Sequence, residues 1–215
     1  METAAAPPLP PYRGIELDHV KLVRTSDDAR AAMAALLAAD AIGFDTESKP
    51  TFVKGESSTG PHLIQLATDD IAYLFQVGAT TPAPALSELK AILESTTTLK
   101  VGFGLSDDVK RLRNKLGIAP AQVLDLSVAL RGGQRNDLGA KTAVAKFFGL
   151  HLQKSKKIST TNWATSRLTE KQILYAADDA QVALRVYRRW IADGGKVAPQ
   201  KAPRASTPPA PPAAA

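Results

Sequence analysis

The chain has 215 residues, no cysteine, and a net charge of +6 from 27 Lys and Arg against 21 Asp and Glu. Without cysteine it forms neither disulfides nor zinc–thiolate centres, and a Cys nucleophile is excluded. The mild basic excess is compatible with a polyanionic partner, and no apolar run reaches membrane-spanning length, so a soluble, cytoplasmic protein is expected.

Ten of the 15 prolines fall within Met1–Pro11 and Pro199–Pro212. Pro/Ala-rich stretches of this kind read as extended, solvated tails. The expected organisation is a disordered tail over 1–12, one folded domain over 13–194, and a disordered basic tail over 195–215. In chain order, Thr25 with Asp28 three residues on forms a capping box, and the Ala/Leu-rich run to Ala39 continues that helix. AIGFDTE, ending at Glu47, reads as a strand. HLIQLA and IAYLFQV, split by Thr68-Asp69-Asp70, read as an antiparallel hairpin. Pro84–Glu94 is an amphipathic helix with Leu86, Leu89, Ile92 and Leu93 at helical spacing. LKVGFG is a short strand running into a helix from Ser106 to Leu116. VLDL is a further strand, followed by short helical stretches through Phe148. Thr169 with Gln172 is a second capping box, opening a long helix to about Ala192. This order gives a mixed α/β sheet covered by helices.

Four carboxylates, each in its own local setting, carry the functional signal: Asp45, Glu47, Asp108 and Asp179. Side chains alternate along a strand, so Ile42, Phe44 and Thr46 share one face while Asp45 and Glu47 share the other, roughly 6.5 Å apart. That spacing lets both grip one ion from the same side. Helical phase separates the aspartates of each later pair. Asp107 lies with Lys110, Arg111 and Asn114 on a solvent-facing side, whereas Asp108 lies with Leu105 and Leu112 and points toward the sheet. Tyr175, Asp179, Val182 and Val186 run down one face of the last helix, while Asp178 shares a polar side with Gln181 and Arg185. A carboxylate on an apolar face needs a cation or strong donors beside it. Taken singly, each acid also fits a structural role, as a strand-end pair or a helix-dipole partner. Taken together, four converging acids repel unless divalent metal lies between them, and oxygen ligands suit Mg²⁺ or Mn²⁺. Metal-assisted phosphodiester hydrolysis is the leading expectation. From His151 to Thr169 there are Lys154, Lys156, Lys157 and Arg167 and no acid. Beside a carboxylate cluster, such a run is a candidate phosphate-tracking flank.

These residues, in this order, resemble the DEDDy branch of the DnaQ-like 3′–5′ exonucleases. In that pattern a first strand carries Asp-x-Glu, a strand-to-helix junction carries Asp, and a late helix carries Tyr-x-x-x-Asp. Asp45, Glu47, Asp108, Tyr175 and Asp179 fill all five positions. IGFDTE, LIQLAT with YLFQV, KVGFGLSDD, the NW of TTNWATSRLTEKQ, and LYAADDA are most similar to the Werner-syndrome-protein exonuclease domain and its stand-alone relatives, with ribonuclease D more distant. The resemblance covers roughly Val20 to Trp190. It implies a ribonuclease-H-like fold with a five-stranded mixed sheet, and an exonuclease domain over 13–194. It implies two divalent ions: Asp45, Glu47 and Asp179 on the first, Asp45 reaching the second, Asp108 completing the cluster, and Tyr175 orienting the attacking water. It also implies a nucleic-acid substrate with a free 3′ end, DNA favoured, cut to nucleoside 5′-monophosphates. The candidate substrate contacts are Thr46, Lys154, Lys156, Lys157, Trp163 and Arg167. Ser48 stands where many relatives carry Trp, and Gly104 where proofreading polymerases carry Asn. The competing expectations are an exoribonuclease of ribonuclease D type and a catalytically silent nucleic-acid-binding module.

Overall fold

The computed structural model describes residues 7–51, 55–56, 58–78, 81, 83–132 and 136–197. Six strands form one sheet: β1 (Val20–Val23), β2 (Ala41–Glu47), β3 (Leu63–Ala67), β4 (Ala72–Gln76), β5 (Leu99–Gly102) and β6 (Val123–Asp125). Their order across the sheet is β1-β4-β3-β2-β5-β6. The expected hairpin is β3–β4, antiparallel, and β3 also pairs antiparallel with β2, while β1–β4, β2–β5 and β5–β6 are parallel. The sheet therefore has one strand more than the five expected. The extra strand is β1, whose Val20 to Val23 pair with Ala72 to Phe75 at the sheet's edge.

Both faces of the sheet are covered. Ile42, Phe44, Ile64, Leu66 and Phe75 pack with α1 (Ser26–Leu37), α2 (Ala83–Glu94) and the start of α3 (Ser106–Arg111). Each of these fully buried side chains stabilises the fold by about 1.5–3 kcal/mol. The opposite face carries Ala41, Leu63, Ala67, Leu74 and Val101, which pack against α5 (Ala140–Phe148) and α7 (Glu170–Ala192). Two short helices, α4 (Leu126–Ala129) and α6 (Lys156–Ser159), complete the set. Residues 112–116 continue α3 as a π-helical turn that ends on Gly117 in the left-handed region, at φ 63°.

α7 carries two of the candidate site residues, Tyr175 and Asp179. Its capping box forms as expected: the Thr169 hydroxyl accepts from the Gln172 backbone N–H, and the side-chain Oε1 of Gln172 accepts from the Thr169 N–H at 3.0 Å. Its far end is tied down by Arg188, which donates to both carboxylate oxygens of Asp40 at 2.7 Å and to Asp69 at 3.1 and 3.2 Å. Between these anchors the helix lies directly on β2. A Cβ placed on Gly43 would sit 1.9 Å from the Ala180 carbonyl oxygen. Glycine inside a buried strand marks such a close backbone approach.

The folded part begins earlier than Arg13. The His151 N–H donates to the Pro10 carbonyl at 2.8 Å, and the Tyr12 N–H donates to the His151 carbonyl at 2.9 Å. The Tyr12 ring meets Phe148 at a centroid distance of 6.4 Å, and the Ile15 N–H donates to Asp178 at 2.6 Å. The remainder of the expected N-terminal tail, residues 1–6, and the C-terminal tail from 198 onward lie outside the described residues. Among the described residues, no helix is long and apolar enough to cross a membrane.

Candidate active site

Asp45 and Glu47 stand at the C-terminal end of β2, on the face covered by α7. Because Gly43 lets α7 close on the strand, Asp179, one residue before Ala180, is carried to the same place. Asp108 arrives from the opposite layer, in the first turn of α3, and reaches the cluster past Thr46. The Thr46 hydroxyl donates to Asp108, and the Arg111 guanidinium lies 3.4 Å from it. Asp108 and Asp179 are both 7% exposed. For the first pair the faces are those that helical phase predicts: Asp107 is exposed and pairs with Lys110 at 3.2 Å. Arg111, however, turns to Asp108 rather than to the solvent set.

The electrostatics are those of crowded acids short of positive charge. Burial, then repulsion from Asp179 and Asp108, holds the Asp45 carboxyl well above the ordinary range. Burial and then the charges of Asp45 and Asp179 push Glu47 up to about 9. Asp179 is raised by burial, against the opposing pull of Lys154 and of the Tyr175 hydroxyl. Lys154 places its ammonium 2.9 Å from Asp179. Burial works against that charge, but Asp179, Asp45 and Glu47 outweigh it and the ammonium is held more firmly protonated than usual. Tyr175 is raised far above its ordinary value, first by burial and then by Asp179, Glu47 and Asp45. It is therefore a neutral phenol throughout the physiological range.

The donor chemistry fits a hard divalent cation: four carboxylates, all oxygen donors, with too little positive charge among them. A further sign is Gln65, which stands opposite Asp45 across the β2–β3 pair. It is fully buried, and neither polar atom of its amide has a hydrogen-bond partner. An amide there can support a ligating carboxylate, as outer-shell partners of metal ligands do. Among the described residues, as the side chains stand, no three acidic or histidine groups converge on a point that could hold an ion. Lys154 supplies the positive charge at Asp179 instead.

The candidate substrate contacts divide. Lys156 and Lys157 are exposed at the start of α6, and Arg167 is exposed in the segment before α7. Trp163 is 1% exposed, its indole N–H donates to the Ser159 carbonyl at 3.2 Å, and its ring lies 6.1 Å from that of Tyr175. It supports Tyr175 from within the core and has no face free for a base, which corrects its expected role. Thr46 is likewise buried, its hydroxyl committed to Asp108. Asp178 is half-buried and accepts from the Ile15 N–H, so its side of α7 is polar without being solvent-facing.

Two lysines were missed from the sequence. A cavity of about 540 Å³ beside Tyr175 and Asp179 is lined by Lys141, His151, Lys154 and Lys171 among others. Lys141 comes from α5 and Lys171 from the first turn of α7, so no run of charge along the chain shows them together.

Comparison with known proteins fits this geometry. A family model described as 3′–5′ exonuclease matches residues 20–189. The chain belongs to that family. It is 29% identical, over 70% of its length, to the mouse bifunctional 3′–5′ exonuclease/ATP-dependent helicase WRN, and 30% identical, over 85%, to the exonuclease mut-7 homologue of Aedes aegypti. The chain spans 11% and 28% of those two proteins. Among solved structures, the Aedes aegypti Nibbler EXO domain superposes with a TM-score of 0.71 at 26% identity, covering 85% of this chain and 94% of that one. Escherichia coli ribonuclease D, described as an exoribonuclease involved in structured RNA processing, gives 0.67 at 28% identity, covering 81% of this chain and 46% of that one. The fold is therefore ribonuclease-H-like, in a single domain, and the family is that of the 3′–5′ exonuclease domains.

Proposed function

We propose that the chain hydrolyses the terminal phosphodiester at the 3′ end of a nucleic acid and releases nucleoside 5′-monophosphates, using two divalent ions, Mg²⁺ or Mn²⁺. What supports this reading is the electrostatic closeness of Asp45, Glu47, Asp108 and Asp179, which come from three separate elements and are short of positive charge. Asp45, Glu47, Asp108 and Asp179 would hold the ions. The chemistry such ions would supply there is activation of a water and stabilisation of the leaving 3′-oxygen.

The protein's own groups orient and bind. Tyr175, kept neutral by burial and by its acidic neighbours, has no capacity to act as a base near neutral pH. Its hydroxyl offers one donor and its lone pairs to a water beside Asp179, so its role is to orient that water. Gln65 would steady Asp45 from across the sheet. Lys141, Lys156, Lys157, Lys171 and Arg167 would meet the phosphates of the strand, a sequence-independent contribution that weakens with salt.

DNA is the favoured polymer, because the flanks of the five site residues are Werner-like. RNA is the second reading, favoured by the likeness to Escherichia coli ribonuclease D. The deciding experiment presents 3′- and 5′-labelled DNA and RNA strands, single and paired, with Mn²⁺, with Mg²⁺ and in excess chelator. Mononucleotides should accumulate from the 3′ end only when the metal is present. Full hydrolysis in excess chelator would refute the metal-dependent reading, and faster cutting of RNA would replace DNA with RNA.

A further inference from the structure

Lys154 holds a position that phosphate binding does not explain. Its ammonium is not turned toward solvent with Lys156 and Lys157. It lies 2.9 Å from Asp179, with only 28% of the Lys154 side chain and 6% of the Asp179 side chain exposed. We infer that Lys154 is an exchangeable internal cation: without metal it neutralises Asp179, and a divalent ion binds by displacing it. This rests on the metal-dependent reading above and adds to it a residue that sets how tightly the ion is held.

Three observations point the same way. A carboxylate this buried needs a partner, and among the carboxylates of the cluster Asp179 is the one that has a lysine on it. The ammonium also feels the charges of Asp45 and Glu47, the other carboxylates proposed for the first ion, so the ion's place and the ammonium's overlap. The lysine also has somewhere to go. Lys154 lies in the irregular stretch between His151 and α6 and lines the open 540 Å³ cavity, so its stem can swing outward without unwinding a helix or strand. Lysine suits such an exchange, being a point charge on a flexible four-carbon stem, where arginine's planar fork would lock onto the carboxylate.

The test compares the full chain with its Lys154→Met, Lys154→Gln and Lys157→Met variants, by calorimetric Mn²⁺ titration and by thermal melting in excess chelator. Displacing Lys154 gives up a hydrogen bond between charged groups, so Lys154→Met should bind Mn²⁺ about ten- to a hundredfold more tightly than the parent. In chelator it should melt below the parent, because Asp179 has lost its partner, and saturating Mn²⁺ should erase that deficit. Lys157→Met removes the same charge from the same stretch without touching Asp179, and should bind Mn²⁺ as the parent does. Lys154→Gln, which keeps a donor without the charge, should shift the affinity in the same direction and serves if the Met variant does not fold. Equal Mn²⁺ affinity in the parent and the Lys154 variants would overturn the inference alone. An equal gain in Lys157→Met would also overturn it, by showing a general effect of charge. A parent that binds no Mn²⁺ would refute the metal-dependent reading itself, and this inference with it.

Discussion

Gly43→Ala tests whether the site depends on how closely α7 approaches β2. The added methyl would stand 1.9 Å from the Ala180 carbonyl oxygen and 2.7 Å from its carbonyl carbon. Real Cβ contacts stay beyond 3.0 Å, so helix and strand must part by at least about 1 Å. Neither side has a flexible end to yield, because both are backbone. Asp179 is the neighbour of Ala180 and moves with it, whereas Asp45 and Glu47 stay with the strand. A displacement of about 1 Å at reacting groups lowers turnover by roughly 10²-fold. The same overpacking should cost about 1–3 kcal/mol of stability. The assay is single-turnover cleavage at saturating Mn²⁺, far below the melting temperature, so that loss of fold and loss of geometry are read separately. Gly78→Ala is the control, since a Cβ there meets nothing within 4 Å. It should cleave and melt like the parent. Gly43→Ala cleaving at the parental rate would refute the argument that this contact sets the distance between Asp179 and Asp45.

Tyr175→Phe keeps the ring beside Trp163 and removes the hydroxyl; single-turnover cleavage should fall by roughly 10²–10⁴-fold, with Mn²⁺ affinity unchanged by calorimetry. Asp108→Asn and Asp179→Asn should nearly abolish turnover, while Asp107→Asn, whose carboxylate meets only an exposed Lys110, should act like the parent. Asp178→Asn keeps an oxygen for the Ile15 N–H and should also stay active; a dead Asp178→Asn would show that the N-terminal segment is part of the site. The pH dependence of folding in chelator has a definite sign. Glu47 titrates near 9 in the fold against an ordinary 4.5, so the native state binds more protons between those values and stability must fall as pH rises through them. Asp45 and Asp179, also raised, add to the fall, and saturating Mn²⁺ should flatten it; chelator melting temperatures that climb from pH 5 to 9 would contradict the charge balance described above.

Much of this was legible along the chain because the relevant signals are local. The phase of Asp107 and Asp108 and the Thr25 and Thr169 capping boxes are settled within a few residues, and so is the β3–β4 hairpin. What was not legible depends on partners far away in sequence. β1 has four residues, and its identity as a strand rests on parallel pairing with β4, about fifty residues on. Asp178 reads in the sequence as one of a polar set with Gln181 and Arg185, and the Ile15 N–H that donates to it lies 163 positions away. Trp163 sits in a polar loop sequence that suggests exposure, but the fold buries it under Tyr175. Gly43 could have been flagged: a glycine amid Ile42 and Phe44 gives up packing for no local reason, which implies that something backbone-close lies opposite. Lys154 could not have been separated from Lys156 and Lys157, because a run of charge does not say which member turns inward.

The arrangement of partners also bears on why this cluster can change its state. Asp108 is held by a hydroxyl from Thr46, itself fixed on the central strand, and by Arg111 one turn along its own helix. Both supports belong to regular elements, so Asp108 is held in place from two sides. Asp179 is held by a lysine from an irregular stretch and by Tyr175, which leans on the short helix α6 through Ser159 and Trp163. Those supports sit on a stretch with little regular structure, beside the cavity where basic side chains gather. The rigid half of the site therefore lies on the sheet and α3, and the adjustable half lies where a nucleic-acid strand would enter. A site divided in this way lowers the repulsion among its carboxylates with groups the protein already carries, Thr46 and Arg111 at Asp108 and Lys154 and Tyr175 at Asp179.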